Sequence, residues 1–95
     1  MYGTVAFLEV KPGMETQLRD LLGLQIPGLV ANYIYRMDSN PDTYCAAIMF
    51  ENKTAYLANA NSPEQHKRYL TMLELLTNEP EWHDGEIIHE IAFAP

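Results

Sequence analysis

Phe50-Glu51-Asn52-Lys53-Thr54-Ala55-Tyr56, continued by Ser62-Pro63-Glu64-Gln65-His66 and then Tyr69, decides how this 95-residue chain folds. An apolar run stops at Phe50-Glu51. Asn52 then offers a side-chain oxygen that can cap a short helix over Lys53 to Ala60. Ser62 begins a capping box, with Pro63 at the first helical position and Gln65 three residues after the cap. A longer helix is expected from there to about Thr77, with an apolar stripe of His66, Tyr69/Leu70, Leu73 and Leu76 and with Met72 alongside.

Upstream of this stretch, Thr43 to Glu51 reads as a strand. Asp38-Ser39-Asn40-Pro41-Asp42 is a turn by composition, and Leu29 to Met37 reads as the other arm of an antiparallel hairpin. In that arm Leu29, Ala31, Tyr33, Tyr35 and Met37 share one face, and Val30, Asn32, Ile34 and Arg36 the other. Tyr2 to Lys11 is strand-like and closes at Pro12-Gly13. From Met14 the period changes, because Met14, Leu18, Leu21 and Leu22 fall at i, i+4, i+7 and i+8, and Glu15 and Arg19 make an i, i+4 pair on the wet side. Ile26-Pro27-Gly28 ends that helix. Downstream, Asn78-Glu79-Pro80 closes the longer helix, Glu81-Trp82-His83-Asp84-Gly85 reads as a loop, and Glu86 to Ala94 alternates as a final strand. The order is βαββαβ. It specifies an α+β, ferredoxin-like domain over residues 1–95, a four-stranded antiparallel sheet with helices on one face.

Helices on one face leave the other uncovered, yet strands two and three are apolar on both sides. The economical cover is a second copy, so a homodimer is expected. The composition is globular, at 47 % hydrophobic and 20 % charged, and the net charge of −7 with no basic cluster beyond Lys67-Arg68 argues against nucleic acid. No apolar run is long enough for a membrane span, and Met1 leads into a strand pattern without a basic n-region, so a cytoplasmic protein is expected. Cys45, inside the apolar run Tyr44 to Phe50, reads as a small buried hydrophobe.

Several of these pieces together resemble the antibiotic biosynthesis monooxygenase family of the dimeric α+β barrel superfamily. They are Lys11-Pro12-Gly13 after the first strand, Pro27-Gly28 before the second, the strand end Phe50-Glu51, Ala55-Tyr56 in the short helix and Ser62-Pro63 ahead of the longer one. The resemblance spans nearly the whole chain. It implies a homodimer with a small-molecule pocket between sheet and helices in each protomer, and an oxidoreductase acting without a bound cofactor. Family monooxygenases place Trp where this chain has Phe50, and the chain keeps their helix tyrosine as Tyr56. Haem-degrading relatives have a histidine where this chain has Tyr69, and an asparagine on the first strand where Thr4 to Leu8 supplies none. A haem-binding or haem-degrading protein therefore ranks last.

The residues themselves carry no glycine-rich phosphate loop, no His-Glu-x-x-His and no paired cysteines, so no cofactor or metal is expected. What remains for chemistry is His66, Tyr69 and Tyr56 on the helices, Asn32 and Arg36 on strand two, Phe50 at the end of strand three, Trp82 in the last loop and His89 on the last strand. Each has a plainer reading as a capped-helix, core or ion-paired residue. Oxidising a phenol- or quinol-like ring with dioxygen requires a base, an oxyanion donor and an apolar shell. His66 is the candidate base. Tyr56 and Tyr69 are the candidate donors, and Asn32, Arg36, Phe50, Trp82 and His89 are candidates to hold the substrate. The rival reading is a non-catalytic small-molecule-binding or dimerisation module.

Overall fold

A computed structural model, which describes residues 1–93, places β1 at Tyr2–Glu9, α1 at Glu15–Leu22, β2 at Leu29–Arg36, β3 at Thr43–Phe50, α2 at Lys53–Ala60, α3 at Pro63–Leu75 and β4 at Glu81–Glu86. The strands form one sheet in the order β2-β3-β1-β4, every neighbour antiparallel, which is the expected ferredoxin-like arrangement. Both helix caps form as the sequence predicts. The Asn52 side chain accepts from the amide of Ala55 at 2.8 Å, and the Ser62 hydroxyl accepts from that of Gln65 at 3.1 Å. The reciprocal half of the capping box is absent, because the Ser62 amide donates to the Asn59 carbonyl and the Gln65 side chain turns toward α2.

Strand alternation sends Thr4, Ala6 and Leu8 of β1 and Tyr44, Ala46, Ile48 and Phe50 of β3 to the helix side. There Leu18 of α1, Met72 of α3 and Leu76 just past its end complete the core. Leu8 and Leu18 are at most 1 % exposed. No helix is long and apolar enough to cross a membrane among the described residues.

Four details differ from the sequence reading. Glu81–Gly85, read as a loop, is most of β4, and the alternating segment read as a strand lies almost wholly beyond it. The reason is the ladder. β4 pairs with β1 from Phe7↔Glu81 to Tyr2↔Glu86, so the free edge of β1 makes a strand of a polar sequence whose own propensity is poor. The last bond runs from the Ile87 amide to the Met1 carbonyl. Ala94, the last residue of the expected strand, lies outside the described residues.

A bulge between Leu29 and Ala31 moves Leu29 to the helix side and leaves Val30 outward. On α3 the inward stripe runs through Gln65, Arg68, Tyr69, Met72 and Leu76, one position off the expected line, so His66 lies at its exposed margin. Glu15 pairs with Arg36 of β2 rather than with Arg19.

The sheet face away from the helices carries Val5 and Phe7 at 40 % exposure and Tyr33 and Tyr35 at 58 % and 56 %. Ala31, Ala47 and Met49 continue this apolar surface between them. Past β4, Ile88, Ile91 and Phe93 are exposed as well.

Gly28 links this scaffold to the helix that carries Tyr56. Its φ is +81°, its carbonyl accepts from the Glu51 amide at 2.8 Å, and a Cβ there would fall 2.7 Å from the Cβ of Ala55. Gly13, at φ +86°, faces open space. Left-handed backbone costs an L-residue about 1–2 kcal/mol, and overlap adds to that. Urea denaturation should therefore show Gly13→Ala losing about 1 kcal/mol and Gly28→Ala at least about twice as much. Equal losses would refute the contact with Ala55.

Candidate functional site

The register lines up one row of side chains across all four strands on the helix side: Asp84 of β4, Thr4 of β1, Ile48 of β3 and Asn32 of β2. With strands about 4.8 Å apart, this row spans the width of the sheet. It is the floor of a cavity of about 380 Å³. Phe50 and Leu29 extend the floor, Leu21, Leu22 and Ile26 close the α1 end, Tyr56 and Asn59 come from α2, and Gln65, His66, Arg68, Tyr69 and Met72 form the α3 wall. Trp82 stands beside Asp84 on β4. A volume near the low end of small-molecule sites suits one or two fused rings.

Six of the eight candidates thus line one cavity: His66, Tyr69, Tyr56, Asn32, Phe50 and Trp82. Two do not. Arg36 lies near the start of α1, ion-paired to Glu15 with its guanidinium against the Tyr44 hydroxyl, because its place in the helix-side alternation of β2 falls beyond Ile34, past the end of the cavity. His89 is exposed beyond the end of β4, and no strand among the described residues pairs with it. Neither residue can hold a ligand in this cavity.

Tyr56 is the most constrained of the group. Its ring meets Phe50 edge-on at 5.6 Å and Tyr2 at 5.2 Å, and its hydroxyl donates to Asp84 Oδ1 at 2.8 Å. Burial first, and then the Asp84 carboxylate, hold its phenol well above the usual tyrosine range; the Thr4 hydroxyl nearby opposes this rise without completing a hydrogen bond. The single phenolic proton is therefore committed to Asp84, which makes Tyr56 a poor donor to a ligand. Tyr69, half-buried, has a hydroxyl without a side-chain partner among the described residues.

The floor holds two buried polar atoms without partners, Thr4 Oγ1 and Asn32 Oδ1. Asn32 Nδ2 donates at 2.7 Å to the carbonyl of Leu22 at the end of α1, which fixes the orientation of its amide. Unpaired buried polar atoms are uncommon, and here both lie in residues of the cavity wall. Among the described residues no three His, Cys, Asp or Glu side chains converge as metal ligands.

The sequence reading missed Thr4, Asp84, Asn59, Gln65 and Arg68. For Asp84 the signal was present, since Trp82 and Asp84 alternate on one face once Glu81–Glu86 is taken as a strand. The others are single polar residues in an apolar strand and in helices, and only the tertiary arrangement gathers them. A wider groove of about 860 Å³ along β2 and the end of α1 shares Asn32 but none of the other candidates.

No family model matches the chain, and no curated protein matches it. Solved structures do. The chain superposes on a candidate antibiotic biosynthesis monooxygenase of Deinococcus radiodurans with a TM-score of 0.77 and 17 % identity, covering 100 % of both chains. A second such protein, from Chloroflexus aurantiacus, gives a TM-score of 0.77 and 16 % identity over 98 % of each chain. This chain has the antibiotic biosynthesis monooxygenase fold. A Nitrosomonas europaea protein of unknown function shares it too, at a TM-score of 0.71 and 21 % identity over 99 % of this chain and 95 % of that one. At these identities the likeness to the monooxygenases describes architecture, and the chemistry must be argued from the cavity.

The Tyr56–Asp84 contact has a measurable signature. In an alkaline titration followed by tyrosinate absorbance, one phenol should stay protonated where a free tyrosine, with a pKa of about 10, has ionised. Tyr56→Phe removes that phenol. Asp84→Asn takes away a charge that opposes ionisation, so the same phenol should ionise at lower pH, though still late because burial remains. An unchanged titration in Asp84→Asn would refute the assignment.

Proposed function

We propose that this protein is a cofactor-independent monooxygenase acting on a small aromatic molecule of the hydroquinone type. The observation that carries this reading is the convergence of His66, Tyr69, Tyr56, Asn32, Phe50 and Trp82 on one cavity whose floor holds two unpartnered polar atoms. A hydroquinone supplies its own electrons. With dioxygen it gives a hydroxyquinone and water, one oxygen atom entering the ring and the other leaving as water. His66, at the mouth, takes the proton from a ring hydroxyl, and the electron-rich phenolate reacts with dioxygen at a ring carbon. The O–O bond then breaks as the ring carbon loses its hydrogen, and the proton held by His66 leaves with the departing oxygen.

Tyr69 is the donor with a free hydroxyl for the developing oxyanion. Tyr56, its proton held by Asp84, shapes the wall instead. Phe50, Trp82 and Ile48 supply the apolar contacts that keep water from the ring.

The same reading includes a homodimer, the dimeric α+β barrel. The apolar sheet face with Val5, Phe7, Tyr33 and Tyr35, and the exposed Ile88, Ile91 and Phe93, form more exposed apolar surface than a monomer usually keeps. A second copy, face to face, covers it symmetrically.

One observation favours the rival, a binding module without catalysis. His66 is exposed, and among the described residues no carboxylate orients its ring. Steady-state oxygen uptake with hydroquinone-type substrates separates the two. His66→Ala should lower turnover by about 10²-fold or more with the fold intact, and Tyr69→Phe should lower it less. Full activity in His66→Ala would remove the base assignment, and tight binding without oxygen uptake by the unmodified protein would favour the binding module. Sedimentation should give about twice 10.8 kDa at micromolar concentration; a species at 10.8 kDa would refute the dimer.

A further inference from the structure

The α3 wall of the cavity contains a charge that no carboxylate among the described residues balances. Arg68 is half-buried there, and no carboxylate pairs with it among the described residues, whose ion pairs are Arg36–Glu15 and His83–Glu81. This is notable in a chain with thirteen acidic and six basic residues, where counter-charges are plentiful. The guanidinium is nevertheless held in place. Its Nε donates to Gln65 Oε1 at 3.0 Å, its Nη2 donates to Asn59 Oδ1 at 2.9 Å, and Asn59 Nδ2 donates to the same Gln65 oxygen at 3.3 Å. These bonds fix the orientation of both amides and of the arginine, using neutral acceptors only. Two of its five N–H groups are used and three remain.

We propose that Arg68 is the anion anchor of the cavity, and that the ring bound there carries a carboxylate as well as hydroxyls. This inference rests on the cavity being the ligand site. A planar guanidinium with spare N–H groups suits a planar carboxylate, and charge-assisted bonds of this kind are the strong ones. The sheet floor, facing the α3 wall, enforces the polarity. Asp84, on β4, repels a second anion, and Asn32 Oδ1 accepts but cannot donate, so that side takes the ring hydroxyls as donors. The substrate class is a hydroxylated aromatic acid lying with its carboxylate toward α3 and its hydroxyls toward the sheet. Arg68 also ties α2 to α3, so the test must separate recognition from support.

Calorimetric titration with gentisate, a hydroquinone carboxylate, and with its neutral amide provides that test. The unmodified protein should bind gentisate at least about tenfold more tightly than the amide. Arg68→Gln should weaken gentisate while leaving the amide unchanged, and Arg68→Lys should restore part of the loss. Equal binding of acid and amide by the unmodified protein overturns the anchor, whether or not any variant folds. Equal weakening of both ligands in Arg68→Gln overturns it too, since a strut would behave that way. Oxygen uptake measured alongside keeps the readings apart. Gentisate bound by way of Arg68 but not oxidised leaves the anchor standing and removes the oxygenase, whereas amide bound and oxidised as well as the acid does the reverse.

Discussion

The hydrogen-bond ladders on the two sides of β1 are the constraint on which the cavity depends. β1 pairs with β3 along Tyr2–Glu9 and with β4 along Tyr2–Phe7, and these two registers bring Asp84, Thr4 and Ile48 into one row that the β2–β3 pairing extends to Asn32. Side chains alternate with period two. A slip of one residue would turn Thr4, Ala6 and Leu8 away from the helices and expose the core as well as the floor of the site. The register is held because one face of β1 is fully buried: Ala6 and Leu8 pack with Leu18, Met72 and Leu76, and none of these is more than 4 % exposed. Burial of the core and placement of the polar floor are thus one structural fact.

The helices contribute differently. α1 and α3 bury Leu18 and Met72, whereas α2 buries no residue fully. An eight-residue helix of that kind has little stability of its own. It is positioned by the Asn52 cap, by the contact of Ala55 with Gly28, by the aromatic contacts of Tyr56 and by the Tyr56–Asp84 bond to the far edge strand. Each of these fixes a cavity residue.

Much of this architecture was legible in the residues, and the reasons it was legible differ from element to element. The hairpin and the two main helices announce themselves through Pro41, Asn52, Ser62-Pro63 and the spacing of Leu18, Leu21 and Leu22, all of which act over a few residues. β4 was not legible, because Glu81–Glu86 becomes a strand through the free edge of β1, at the other end of the sequence, while the segment that looks like a strand pairs with no strand among the described residues. The same distinction runs through the site. Tyr56, His66 and Tyr69 could be selected because aromatic and imidazole groups on helices are conspicuous. Thr4, Asp84 and Arg68 are ordinary residues until the sheet register and the α2–α3 packing bring them to one cavity. Arg36 and His89 show the converse: both were conspicuous in the sequence, and neither lines the cavity, because Arg36 pairs with Glu15 and His89 lies beyond the end of β4.

The cavity floor is polar where a packed core would be apolar. Thr4 Oγ1 and Asn32 Oδ1 have no protein partner, and Arg68 is held by neutral amides alone. A floor built only for packing would carry valine, of the same shape and without a hydroxyl to satisfy, in place of Thr4. The arrangement makes sense if the missing partners come from outside, so that a ligand offering donors to the floor and an anion to α3 recovers on binding what the fold gave up. The same groups would then set both the affinity and the orientation of the ring, because a molecule bound the other way round would leave the floor unpaired and place its anion against Asp84.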